Sequence, residues 1–243
     1  MKVRFNKQTL QIFALMTAIM LVIWYMKYRF VTSPLSVDSF VSVFSTYSLF
    51  TNITHLLTYY TLFYLILLNT TLPTMNIQYV SRVNRNQYVL ANLKHIVLWA
   101  FLFSIWLNVL TILLALIQLT DFKTLWETGC FIGCILNIIH WTLCYTVLGY
   151  IYVILLSITT KRWFSISLTV ICGIAVIMVS RFNKLNFLFT EFDVYGMIYD
   201  ANGGGLNMIL YGIVLVKLIL LVFLLYSMNN IIFKKKDILK EVM

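Results

Sequence analysis

Residues 76–117 read NIQYVSRVNRNQYVLANLKHIVLWAFLFSIWLNVLTILLALI. The stretch changes character at His95. Before it, Arg82, Arg85 and Lys94 stand among asparagines and glutamines; after it, Ile96–Ile117 holds no ionisable residue. A helix needs about 20 apolar residues to cross the hydrocarbon of a bilayer, and this run is long enough. The apolar run LTYYTLFYLILL, residues 57–68, lies just upstream. A basic, helix-compatible segment is therefore wedged between two long apolar runs.

Composition extends that reading to the whole chain. The 243 residues are 61% hydrophobic and only 11% charged, with a mean hydropathy of +0.91. Soluble domains carry about 25% charged residues, so there is too little polar surface here to cover a water-facing globule. The chain is predicted to be all-α: one polytopic membrane domain, 1–243, with six transmembrane spans. They are expected at roughly 10–30, 54–72, 95–119, 129–157, 164–180 and 207–228. Runs this long and continuous are not β-barrel strands. The basic start and apolar run at the N-terminus resemble a signal peptide, but no small-x-small cleavage site follows, so this run is read as a retained first span.

Orientation follows from the basic residues, which favour the cytoplasmic side. With the N-terminus inside, the cytoplasmic connections and tails carry twelve Lys and Arg against Asp237 and Glu241. The outer connections carry five cations against six carboxylates, and Lys217 falls within a span. The net charge of +10 is thus topological; it gives no reason to expect nucleic acid as a partner. The cationic face, above all the tail FKKKDILK (233–240), suits anionic lipid headgroups. Both termini and residues 76–94 are predicted to be cytoplasmic, in a multi-pass protein of a bacterial cell membrane.

Pro73 marks the end of the second span, because the residue before proline is pushed out of helix. Beyond it, Ile77, Val80 and Val83, then Leu90 and Leu93, recur at helical spacing. That pattern predicts one or two short helices at the membrane surface with their arginines facing the cytoplasm. On the residues alone, a solvated loop obeying the positive-inside rule is the plainer account.

Few residues carry chemistry. No Walker loop is present: the glycines at 203–205 precede Leu206 and Asn207 and have no phosphate-binding lysine. No Asp or Glu falls inside a predicted span, and no H-E-x-x-H pair occurs. Cys130, Cys134, Cys144 and Cys172 all sit in apolar runs and read as small packing residues; no metal site is expected. His140 lies mid-span, where a polar contact between helices involving Asn137 outweighs a catalytic role. Lys217, in GIVLVKLILLV, is the one lysine deep in a span. An intramembrane cation is a functional candidate, here for a substrate path shared with His140, with snorkelling an equal alternative. Gly129 and Gly133 form a G-x-x-x-G step that suits close helix packing. The external stretch 181–207 is too polar to span. Its aromatic residues, Phe189, Phe192 and Tyr195 among them, read as interfacial anchors or as short helices gating an exit path.

The segment IQYVSRVNRNQYVLANLKHIVL resembles the cytoplasmic loop between spans two and three of type-2 ABC exporter permeases. The matching positions are Ile77, Gln78, Ser81, Arg82, Arg85, Tyr88 and Lys94. The layout is similar too: six spans, termini inside, and an aromatic external segment before the last span. The stretch ahead of the motif, NTTLPTMN, departs from the family in carrying Pro73 and neither a carboxylate nor Gly-Thr. The resemblance implies a permease subunit that pairs with a second permease chain and docks a cytoplasmic ATPase through a coupling helix bearing Gln78, Arg82, Arg85 and Tyr88. ATP and Mg would then sit on the partner, with no cofactor in this chain. The composition, rich in Ile, Asn, Lys and Tyr, is similar to that of low-GC Gram-positive bacteria, whose related permeases, such as the phenol-soluble modulin exporters, move or resist amphipathic peptides. Two other classes stand beside export: a peptide immunity or sensor protein that does not transport, and a membrane transferase using His140 or His55.

Overall fold

The computed structural model of the chain describes residues 7–28, 53–72, 85–118, 130–183 and 208–235. Among these residues there is no strand. The elements are α1 (Lys7–Tyr28), α2, α3 (Arg85–Gln118), α4 (Cys130–Thr159), α5 (Arg162–Asn183) and α6 (Met208–Lys235). Here α2 denotes a continuous rod of three pieces, Ile53–His55, a π-helical turn Leu56–Tyr60, and Thr61–Thr71. The helices form because hydrocarbon offers backbone N–H and C=O groups no partner but each other. All eight Asp and Glu residues of the chain lie outside the described residues.

Four helices contain stretches long and apolar enough to cross a membrane: Lys7–Met26, Gln87–Leu114, Phe131–Thr159 and Tyr211–Phe233. Two shorter apolar stretches, Leu56–Thr71 and Arg162–Ala175, lie in α2 and α5. The six runs picked out by hydropathy fall on these six helices, with one difference. The third run was expected to open near residue 95, after a separate surface helix; instead α3 opens at Arg85 and runs unbroken for 34 residues. No Gly or Pro interrupts 85–95. Tyr88, Val89 and Asn92 bury one face of its first turns. Residues 76–84 lie outside the described residues.

Chain breaks have local causes. At the end of α2, Leu72 turns extended, directly ahead of Pro73. Between α4 and α5, Thr160 takes a left-handed φ of 58°. Its N–H donates to Leu156 O at 3.0 Å, and Thr159 Oγ1 and Ser165 Oγ share a 2.7 Å hydrogen bond that holds the turn shut.

Specific contacts fix the packing register. Asn137 Nδ2 of α4 donates to Asn108 Oδ1 of α3 at 2.7 Å, and Gly149 lies against Ile96, so α3 and α4 run antiparallel. Tyr211 Oη of α6 donates to Leu136 O of α4 at 2.7 Å. The Tyr88–Phe233 ring contact, with centroids 5.1 Å apart, joins the start of α3 to the end of α6. A cluster of rings fills the centre: Phe103 meets Tyr145 edge-on at 4.9 Å, and Tyr64 lies 5.1 Å from Tyr145 and 5.4 Å from Phe103. Phe13 brings α1 to the cluster through Trp106 at 5.4 Å.

The π-helical turn is part of this core. One extra residue per turn frees the Leu56 carbonyl, which accepts from Thr61 Oγ1 at 2.9 Å and Tyr145 Oη at 3.4 Å. Gly173 of α5 presses on the same turn; a Cβ there would stand 2.9 Å from Leu57 O. The G-x-x-x-G spacing singles out Gly129 and Gly133. Gly133 is buried and Gly129 lies outside the described residues, while the close approaches are made by Gly149 and Gly173.

Candidate functional site

The contacts above bring five chain ends together: the end of α2, the start of α3, the end of α4, the start of α5 and the end of α6. Arg85, Lys94, Arg162, Lys234 and Lys235 belong to the helix segments at this end, and Lys161 to the turn between α4 and α5. Lys94, Lys161 and Arg162 are exposed there.

Beneath the cations lies a layer of polar side chains. His95 Nε2 of α3 and Thr71 Oγ1 of α2 are 3.1 Å apart. Tyr152 of α4, fully buried, donates its hydroxyl to Asn69 Oδ1 of α2 at 2.9 Å. Arg162, at the α4–α5 corner, stands within electrostatic reach of that hydroxyl. On the other flank, the Tyr88–Phe233 contact sets the register of α3 against α6. One turn further in on each helix stand Asn92 and Asn229, 2% and 0% exposed. Asn92 Oδ1, His95 Nδ1, Tyr150 Oη and both side-chain polar atoms of Asn229 are buried without a hydrogen-bond partner. In an apolar medium such groups are costly, so this end holds a set of polar groups that packing alone does not satisfy.

The sequence-predicted residues distribute unevenly over this frame. Gln78 and Arg82 lie outside the described residues, as do Phe189, Phe192 and Tyr195 of the expected external gate. Arg85 opens α3. Tyr88, expected as an outward anchor for a partner, turns inward instead: it is 5% exposed and its ring packs on Phe233. The reason is that α3 and α6 touch here, leaving an apolar ring no cheaper place. Lys217 is half-buried on α6. His140 is 1% exposed and sits beside Trp141 at 5.9 Å. Through the Tyr211–Leu136 bond, residue 217 of α6 is level with about residue 142 of α4, so Lys217 and His140 share a depth. Asn137 was expected to act with His140 in a polar contact between helices; its partner is Asn108.

The polar layer itself went unnoticed in the sequence. Its signal is weak but real: Asn69, Thr71, Asn92, His95, Tyr152 and Asn229 each lie near one end of an apolar run. Cys134 and Cys144 are buried and Cys172 is half-buried, and none of the three is in a disulfide. No group of three His, Cys, Asp or Glu gathers as a metal site among the described residues. What the layer offers is hydrogen bonding and positive charge rather than a nucleophile with its base.

No family model matches the chain, and comparisons with curated proteins and with solved structures return no match.

Proposed function

We propose that the chain is the permease subunit of an ATP-driven exporter, taking amphipathic or hydrophobic peptides out across a bacterial cell membrane. In this reading all six helices span, with α2 and α5 completing the set, and the basic end faces the cytoplasm. A separate ATPase binds there and supplies ATP and Mg, and a second permease chain forms the other wall of the path. The observation that carries the reading is the form of α3. The polar, basic residues 85–94 continue without a break into the apolar run that opens at Ile96. A partner moving the Arg85 end of α3 would act on span three directly, since a continuous helix transmits rigid-body motion. Tyr88 then braces α3 against α6 from behind, so both helices move together. Gln78, Arg82 and Arg85 are left as the contact residues. Higher up, Lys217 and His140 share a depth where an anionic or polar group of the cargo would pass, and Phe189, Phe192 and Tyr195 would close the outer side.

The test is the double variant Arg82→Glu with Arg85→Glu. It is expected to insert normally yet weaken ATPase docking by about 2–5 kcal/mol, the loss typical when buried charge pairs are broken. Pull-down of the partner ATPase from detergent extracts measures docking, and vanadate-sensitive hydrolysis measures coupling. If neither changes, residues 76–85 are a solvated connection and the exporter reading loses its main support.

A further inference from the structure

We infer that the α4–α5 corner is a docking surface for anionic lipid headgroups in the leaflet at the basic end. Five consecutive residues, Thr160 to Phe164, are exposed at this corner. They combine two cations, Lys161 and Arg162, with two large rings, Trp163 at 68% and Phe164 at 56% exposure. Exposed aromatic rings beside cations suit two surroundings, a membrane interface or the face of a soluble protein.

Three observations choose the membrane. First, Phe164 heads a stripe. Ile171 and Met178, seven and fourteen residues on and thus on the same face of α5, are 56% and 55% exposed. That stripe is apolar and faces outward along the helix, so it meets lipid, and Phe164 is its continuation to the corner. Ile158, 63% exposed, presents the same kind of surface on α4. Second, the depth is right. Trp163 and Phe164 lie within one turn of the corner, the headgroup level at which aromatic side chains collect. Third, the charge has one sign: Lys161 and Arg162 meet no carboxylate among the described residues, and basic residues at that level attract anionic headgroups.

The corner is also held in shape, which separates it from a loose basic loop. Thr160 closes the turn in the left-handed conformation, and the Thr159–Ser165 hydrogen bond ties its two sides. Ser165 is itself fully buried. Arg162 stands near the buried Tyr152 hydroxyl, which is anchored on Asn69. The exposed guanidinium offers a phosphodiester a planar pair of donors at the corner, with Lys161 as a second charge.

The experiment uses the full chain in bilayers containing phosphatidylcholine and phosphatidylglycerol at fixed ratio, with bromine on the acyl chains of one lipid or the other at equal mole fraction. Bromine quenches nearby tryptophan; the difference between wild type and W163F isolates Trp163. The expected result is stronger Trp163 quenching when bromine is on the anionic lipid, an enrichment of roughly fivefold for each cation engaged. The K161Q/R162Q variant should equalise the two lipids, while K161R/R162K should keep the preference, which separates lost charge from lost fold. Equal quenching by both lipids in wild type would overturn the inference, as would a preference that survives in K161Q/R162Q. No Trp163-dependent quenching would place the corner in water, as a protein-binding face. Loss of the preference on adding inorganic phosphate would assign the site to a soluble anion rather than to a lipid.

Discussion

Replacing Gly149 by alanine should destabilise the bundle, although alanine is the better helix former. Gly149 lies where α2, α3 and α4 meet. An added Cβ would stand 2.7 Å from Ile96 Cγ2, 2.8 Å from Tyr64 Oη and 3.3 Å from Leu68 Cδ2. Comfortable carbon–carbon contact begins at about 3.5 Å. Tyr64, Leu68 and Ile96 are all 0% exposed, so none has open space to move into. Tyr64 Oη is also the donor of a long, 3.5 Å bond to Ile96 O that any retreat would break. Overpacking of one methyl group costs about 1–3 kcal/mol, and the hydrogen bond adds about 0.5–1.5 kcal/mol. Relief of the glycine's conformational entropy returns about 0.5–1 kcal/mol. The net loss is about 0.5–4 kcal/mol. Gly212 of α6 supplies the control, because a Cβ there meets nothing within 4 Å; Gly212→Ala should be neutral or stabilise by up to about 1 kcal/mol. Unfolding by SDS in mixed micelles, followed by tryptophan fluorescence, compares the two. If Gly149→Ala is as stable as Gly212→Ala, the packing at the α2–α3–α4 junction is wrong.

Two further substitutions test the interior. Asn137→Ala leaves Asn108 Oδ1 without its 2.7 Å donor and should cost about 0.6–1.7 kcal/mol, the range for interhelical hydrogen bonds in membranes, in the same SDS titration; no loss would mean the α3–α4 register differs. On the proposed export function, Lys217→Met should leave expression intact yet impair export or substrate-stimulated ATP hydrolysis by the proposed partner; unchanged transport with a gain in stability alone would make Lys217 a snorkelling lysine.

The helices were legible because hydrocarbon imposes a length and a composition on whatever crosses it. Runs such as 96–117 and 57–68 announce themselves without any partner. The start of α3 did not. Hydropathy stops at His95, where the chain becomes polar, whereas the helix continues to Arg85 because Tyr88 and Val89 pack against α6, and that contact is long-range. The same cause turned Tyr88 inward. The π-helical turn at Leu56–Tyr60 has no Gly or Pro to mark it; it follows from Tyr145 and Gly173 on other helices. Gly129 and Gly133 drew notice by their spacing, yet close approach depends on what lies opposite, and Ile96 and Leu57 lie opposite Gly149 and Gly173. The polar layer was hidden for a related reason. Asn69 and Tyr152, or Thr71 and His95, are unremarkable singly and become a site only once the helices align.

The most direct measurement is the sidedness of the two connections that flank the account. With the native cysteines removed, single cysteines are placed at Asn86, near the start of α3, and at Asn202, ahead of α6. A membrane-impermeant maleimide is then applied to intact cells and to permeabilised ones. The account predicts that the Asn202→Cys protein is labelled in intact cells and that the Asn86→Cys protein is labelled only after permeabilisation. Labelling of the Asn86→Cys protein from outside intact cells would put the basic end on the wrong side of the membrane, beyond the reach of any cytoplasmic ATPase.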